Sequence, residues 1–82
     1  MLLENRVAIV TGAAKGMGRA VAEGFAKEGA KVTIADVDLT AAEEAVRAIE
    51  AAGGQALAVK CDVSKSDQVK AMVDATVAKF GK

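Results

Sequence analysis

At 82 residues the chain has room for one domain at most, and a domain that small buries roughly 60% of the surface its unfolded form exposes, which leaves it marginally stable without help. Eleven Lys and Arg balance eleven Asp and Glu, and Trp, Tyr and His are absent, so neither the basic patch nor the aromatic platform of a nucleic-acid binder is present. One cysteine excludes an internal disulfide and leaves the redox compartment open; without a signal-peptide pattern or an apolar run near ~18 residues, the expectation is a cytoplasmic chain with no membrane partner.

The chain reads as three strand–helix pairs. Met1–Arg6 is a short lead-in. Val7–Thr11 follows as a strand, and its run of four apolar residues suits a strand covered on both faces, as in a parallel sheet. A glycine-rich turn leads into a first helix predicted over 17–28, with Met17, Val21 and Phe25 on one face and Ala20 and Gly24 beside them. Glycine inside a helix costs ~1 kcal/mol against alanine, so Gly24 is expected to pack closely on the sheet. Gly29 is the expected left-handed stop.

The β-branched run Val32-Thr33-Ile34 places a second strand over Lys31–Asp36. A second helix is predicted from Thr40 to Ala52, with Thr40 and Glu43 as a capping box and Ala42, Ala45, Val46 and Ile49 as its apolar stripe. Glu43, Glu44, Arg47 and Glu50 face water, and Gly53-Gly54 ends the helix. Gln55–Cys61 alternates partially, as an edge strand with one better-covered face would. The third helix is predicted from Lys65 to Lys79, with Ser64 and Asp67 as a capping box and Val69, Met72, Val73, Thr76, Val77 and Phe80 as its buried face. Met17, Met72 and Phe80 read as core, Cys61 as a small buried hydrophobe, and Lys70, Lys79 and Lys82 as solvated charges. The pattern is βαβαβα, an α/β fold with half of a doubly wound, Rossmann-like parallel sheet in strand order 3-2-1. Residues 1–82 form one dinucleotide-binding segment on this reading.

Chemistry concentrates where the first strand meets the first helix. Gly12, Gly16 and Gly18 stand at spacing G-x-x-x-G-x-G. The first lets the backbone leave the strand in a tight turn; the others make room for a ligand or keep the helix close to the sheet. The helix start near Gly16 or Met17 offers free N–H groups and a partial positive charge, an anion site whose usual occupant is a pyrophosphate, with the Met17 N–H directed at it. The spacing is neither the P-loop nor G-x-G-x-x-G. Thr11 precedes the first glycine and Asp36 closes the second strand 18 positions after Gly18.

Thr11-Gly12-x-x-x-Gly16-x-Gly18 followed by that aspartate resembles the short-chain dehydrogenase/reductase family, and the resemblance runs on through Asp62-Val63. It implies that Asp36 accepts hydrogen bonds from both adenosine ribose hydroxyls and repels a 2′-phosphate, favouring NAD over NADP. A solvated aspartate or a helix cap is the plainer alternative. Val37 and Asp38 follow, with no Lys or Arg. Lys15, just before the second glycine, is a position that relatives often associate with NADP, so it pulls the other way. Two acidic residues around the pocket outweigh one flexible lysine. In relatives the Asp62-Val63 pair meets the adenine, carboxylate near the exocyclic amine and valine against the ring; otherwise Asp62 only favours the third helix's N-terminus. The expected cofactor-binding set is Gly12, Lys15, Gly16, Met17, Gly18, Asp36, Val37, Asp62 and Val63.

Family members oxidise or reduce an alcohol with a tyrosine, a lysine and a serine, the first two in a Y-x-x-x-K pattern. No tyrosine occurs among the 82 residues, the only serines are Ser64 and Ser66, and the N-A-G stretch of relatives is missing. The chain is therefore read as the N-terminal, NAD-binding part of a short-chain oxidoreductase, without catalytic residues and inactive alone. A non-catalytic folding or assembly fragment and an S-adenosylmethionine enzyme are the other readings; the latter needs no pyrophosphate glycines. The first strand, the most hydrophobic, lies at an open edge on this topology, which invites a homodimer with each Val7–Thr11 beside its twin in parallel. A molten or aggregating monomer is the competing outcome.

Overall fold

The computed structural model describes residues 6–12 and 16–81. It contains β1 (Val7–Thr11), α1 (Gly16–Lys27), β2 (Lys31–Asp36), α2 (Leu39–Ala51), β3 (Gln55–Lys60) and α3 (Ser66–Phe80). The three strands form a parallel sheet in the order β1-β2-β3, with Val7 level with Lys31 and Lys31 level with Gln55. This is the expected half of a doubly wound sheet. No described helix is long and apolar enough to cross a membrane.

β2 divides the core. Alternate residues of a strand point to opposite faces, and here both faces are covered. Val32 and Ile34 pack with Ala22 of α1 and with Ala42, Ala45 and Ile49 of α2. Ala35, on the other face, packs with Cys61 and with Met72 of α3. Thr33 shares that face and is fully buried, its hydroxyl 2.7 Å from that of Thr76. Thr76 also donates to the Met72 carbonyl at 2.8 Å. A hydroxyl has one proton, so the chain of bonds runs from Thr33 to Thr76 to Met72.

Several expectations change. The predicted α2 capping box does not form: Asp38 is the N-cap and accepts from the Ala41 N–H at 3.1 Å, so Thr40 lies inside the helix. The predicted Ser64–Asp67 box does not form either, because α3 starts at Ser66 and its N-cap Lys65 makes no side-chain cap bond. Met17, expected in the core, is 84% exposed. Gly24 is exposed, and a Cβ built there would meet no described atom beyond its own helix backbone within 4 Å, so close packing on the sheet is not its reason. On β3 both faces are partly covered, Ala56 and Ala58 against the α1–α2 layer and Val59 against α3. Cys61 is buried as expected but lies just past the strand.

Val73 and Val77, expected to be buried, are exposed, and Phe80 is only half-buried. The reason is the free edge of β1. Met72 sits by Ala35 and Thr76 by Thr33, so α3 runs antiparallel to the strands. A right-handed helix in that orientation turns Val73 and Val77 towards the β1 side. On the opposite layer Glu23, Ala26 and Lys27 face α2, which leaves the exposed Val21 and Phe25 on the β1 side as well. The bonds Lys31 N–H to Arg6 O and Gly12 N–H to Ala35 O frame the β1–β2 ladder. By alternation, Val7, Ile9 and Thr11 point their N–H and C=O groups to the outer edge, where no described strand pairs with them.

The direction of the threonine bonds gives a test. Thr76→Val strips the buried Thr33 hydroxyl of its acceptor and should cost about 1–3 kcal/mol, more than Thr33→Val, which leaves the Thr76–Met72 bond intact. Urea unfolding of both variants measures the difference; equal destabilisation would contradict the assigned direction.

Candidate functional site

Parallel pairing brings the carboxyl ends of the three strands to one edge. Thr11 is level with Ala35, and Asp36 with Lys60. The ladder continues one step beyond, with Gly12 N–H on Ala35 O at 2.8 Å and Cys61 N–H on Asp36 O at 3.0 Å. Gly12, Asp36 and the Cys61-Asp62 pair therefore leave the sheet side by side, at the usual interstrand spacing of about 4.8 Å.

The turn after β1 shows why glycine is needed. Gly12 and Gly16 have φ of 62° and 61°, left-handed values that side chains disfavour. Among the described residues, nothing lies within 4 Å of a Cβ built at either position. That is room, on their side, for something to approach the backbone. α1 begins at Gly16 and carries no acidic residue in its first turn, so no carboxylate from that turn competes for the positive end of the helix. Met17 is exposed there and Gly18 half-buried. Lys15 lies outside the described residues.

Asp36 ends β2 on the same face as Val32 and Ile34, the layer that holds α1 and α2. It is half-buried, and its Oδ1 accepts from the Asp38 N–H at 3.0 Å. Capping of α2 falls to Asp38. The sequence alternative that made Asp36 a helix cap thus assigns that task to the wrong aspartate. Val37 is exposed between them.

Asp62 follows β3 and is held on several sides. Its Oδ1 accepts from the Ser64 hydroxyl at 2.7 Å and the Ser64 N–H at 3.0 Å. These two bonds, the hydroxyl first, hold its carboxyl below the usual carboxylate range, against a small opposing effect of desolvation. Its N–H donates to Gln68 Oε1 at 2.8 Å. Gln68 was not singled out in the sequence. The signal for it was a glutamine at the third position of a helix starting at Ser66, hidden by placing that start one residue early. Val63 is exposed beside Asp62.

The structure thus gathers Gly12, Gly16, Met17, Gly18, Asp36, Val37, Asp62 and Val63 along one edge. Three exposed apolar side chains, Met17, Val37 and Val63, stand on its rim. A groove of about 640 Å³ lies elsewhere, between the C-terminal halves of α1 and α2. Ala26, Ala48, Ile49 and Ala52 line it, and it holds none of the predicted site residues.

The family model described as "short chain dehydrogenase" matches residues 6–82. Among curated proteins, an uncharacterized oxidoreductase of Methylorubrum extorquens is 48% identical over 81 residues, covering 98% of this chain and 33% of its own length. A short chain dehydrogenase/reductase from Burkholderia phymatum, solved in complex with NAD, superposes with a TM-score of 0.94 at 43% identity, over 100% of this chain and 29% of that one. A 3-ketoacyl-(acyl-carrier-protein) reductase from Brucella melitensis, solved with NADH, superposes with a TM-score of 0.89 at 48% identity, over 98% of this chain and 32% of that one. The chain spans about a third of the length of these relatives. Matched by that family model over nearly its whole length, it belongs to the short chain dehydrogenase family.

Proposed function

We propose that this chain is the NAD-binding part of an oxidoreductase and holds the adenosine and pyrophosphate of the dinucleotide along the carboxyl edge of its sheet. The observation that carries the reading is the pair of left-handed glycines, Gly12 and Gly16, which no described side chain crowds, beside Asp36. The residues present fit the group. Backbone N–H groups at Gly16, Met17 and Gly18 meet the pyrophosphate at the start of α1. The Asp36 carboxylate accepts from the ribose hydroxyls. Val37 and Val63 flank the adenine, and Asp62 accepts from its amino group.

NAD is the preferred form because Asp36 is followed by Val37 and Asp38 and not by a basic residue, and these two acidic side chains outweigh the single Lys15 as a partner for a 2′-phosphate. When bound, NAD supplies the hydride acceptor. We assign to the longer protein hydride transfer between NAD and an alcohol or carbonyl substrate. Within this chain the work is binding and orientation, and its acid/base residues would come from the remaining two-thirds of a relative's length.

Asp36→Ala should weaken NAD binding by roughly tenfold, the scale of hydrogen bonds to a charged group, and leave NADP binding unchanged or improved. Calorimetric titration of both cofactors measures this. Unchanged NAD affinity in the variant would remove Asp36 from the ribose role.

For the chain by itself we also propose self-pairing through β1, with a change from the parallel twin first expected. The outward groups belong to Val7, Ile9 and Thr11. A two-fold axis along the strands would set N–H against N–H and C=O against C=O. A two-fold perpendicular to the sheet sets N–H against C=O and gives an antiparallel ladder. It also brings Val21 and Phe25 of one copy to those of the other. Sedimentation equilibrium should show a dimer that Ile9→Lys disrupts, since an edge lysine opposes pairing. A folded monomer unaffected by that substitution would contradict the pairing.

A further inference from the structure

We infer that Gln68 is a positioning residue for base recognition: it fixes the turn after β3 so that Asp62 presents a single carboxylate oxygen, Oδ2, to the amino group of a 6-aminopurine. The inference rests on the dinucleotide reading and adds to it the residue that sets base selectivity.

The bonds around Asp62 leave little else for it to do. Its N–H donates to Gln68 Oε1 at 2.8 Å, and its C=O accepts from the Lys65 N–H at 3.0 Å. Its Oδ1 accepts from both the hydroxyl and the N–H of Ser64. Oδ2 receives none of these bonds. Ser64 thus holds the carboxylate's rotation, while Gln68 and Lys65 hold the backbone that carries it.

Gln68 is well placed for this. It is the third residue of α3, the position from which a Glu or Gln reaches back to a free N–H before the helix. The N-cap Lys65 makes no side-chain cap bond, and Gln68 reaches three residues further back, to Asp62. α3 is itself tied to the central strand by the buried Thr33–Thr76–Met72 bonds. The chain of support runs from β2 through α3 to Gln68 and then to Asp62. A group held in place before the ligand arrives needs no ordering when it binds.

The chemistry that follows is selective. A carboxylate oxygen only accepts, so it pairs with the amino group of adenine. The carbonyl of a 6-oxopurine would face it lone pair to lone pair. A site built to bond a donor at position 6 disfavours an analogue that carries an acceptor there and its nearest donor on the adjacent ring nitrogen.

Titrating the 82-residue chain with NAD and with its hypoxanthine analogue, nicotinamide hypoxanthine dinucleotide, reads this selectivity. Hydrogen exchange at the Asp62 amide reads the clasp independently of ligand. The unaltered chain should favour NAD by about tenfold, the scale of one hydrogen bond to a charged acceptor. Gln68→Met, similar in length but without a comparable acceptor, should bring the two affinities within about threefold of each other, mainly through weaker NAD binding, and speed exchange at Asp62. Gln68→Glu, which restores an acceptor, should restore both. Ser64→Ala frees Oδ1 and should lower the selectivity without exposing the Asp62 amide. An unchanged NAD preference in Gln68→Met overturns the inference and leaves the dinucleotide reading standing. An unaltered chain that binds neither compound overturns both.

Discussion

The parallel pairing of β2 on both its edges is the constraint on which the rest depends. It sets Gly12 level with the end of β2 and Asp36 level with the end of β3. Three turns distant in sequence then open at one edge, in the order glycine turn, Asp36, Asp62. The pairing holds because β2 is buried on both faces, Val32 and Ile34 under two helices and Thr33 and Ala35 under the third. A slip of one residue would exchange those faces and put the Thr33 hydroxyl into the alanine-rich layer, away from Thr76. The buried hydroxyl bond is therefore a register mark as well as an anchor for α3.

The small side chains of the α1–α2 layer make this economical. Ala22, Ala42 and Ala45 are fully buried, with Val32, Ile34 and Ile49 as the large buried neighbours described in that cluster and Val10 and Val46 packed against it. Helices with alanine at the contact approach the sheet closely, and many small contacts fill the space. The same choice makes the chain sensitive at its margins. Among the exposed apolar side chains, Val21, Phe25, Val73 and Val77 flank β1.

Element types and topology were legible because short-range signals agreed with each other. Val7–Thr11 and Lys31–Asp36 are the observed strands, residue for residue. Caps were less legible. Thr40-x-x-Glu43 has the right spacing for a box, but Asp38 stood two residues earlier and took the N-terminus first. Periodicity placed Val73 and Val77 on the same stripe as Met72 and Thr76, and periodicity cannot say how wide the covering surface is. With β1 at an edge, that surface ends before it reaches them. Met17 failed for a related reason: it stands at the mouth of the helix, on the site's rim and not over the sheet. At the site, the glycines and Asp36 were visible as spacing. Gln68 was not, since its partner lies six residues away in a turn whose shape the sequence does not state.

The central claim is that the ligand edge, and not the groove between α1 and α2, receives the dinucleotide. Following the amide signals of the isotopically labelled chain during titration with NAD tests it most directly. The account predicts shifts at Gly12, Gly16, Met17 and Gly18, at residues 36–38 and at residues 62–64, with Ala26, Ala48 and Ala52 unmoved. Shifts confined to those three alanines and their neighbours, with the glycine turn silent, would contradict it.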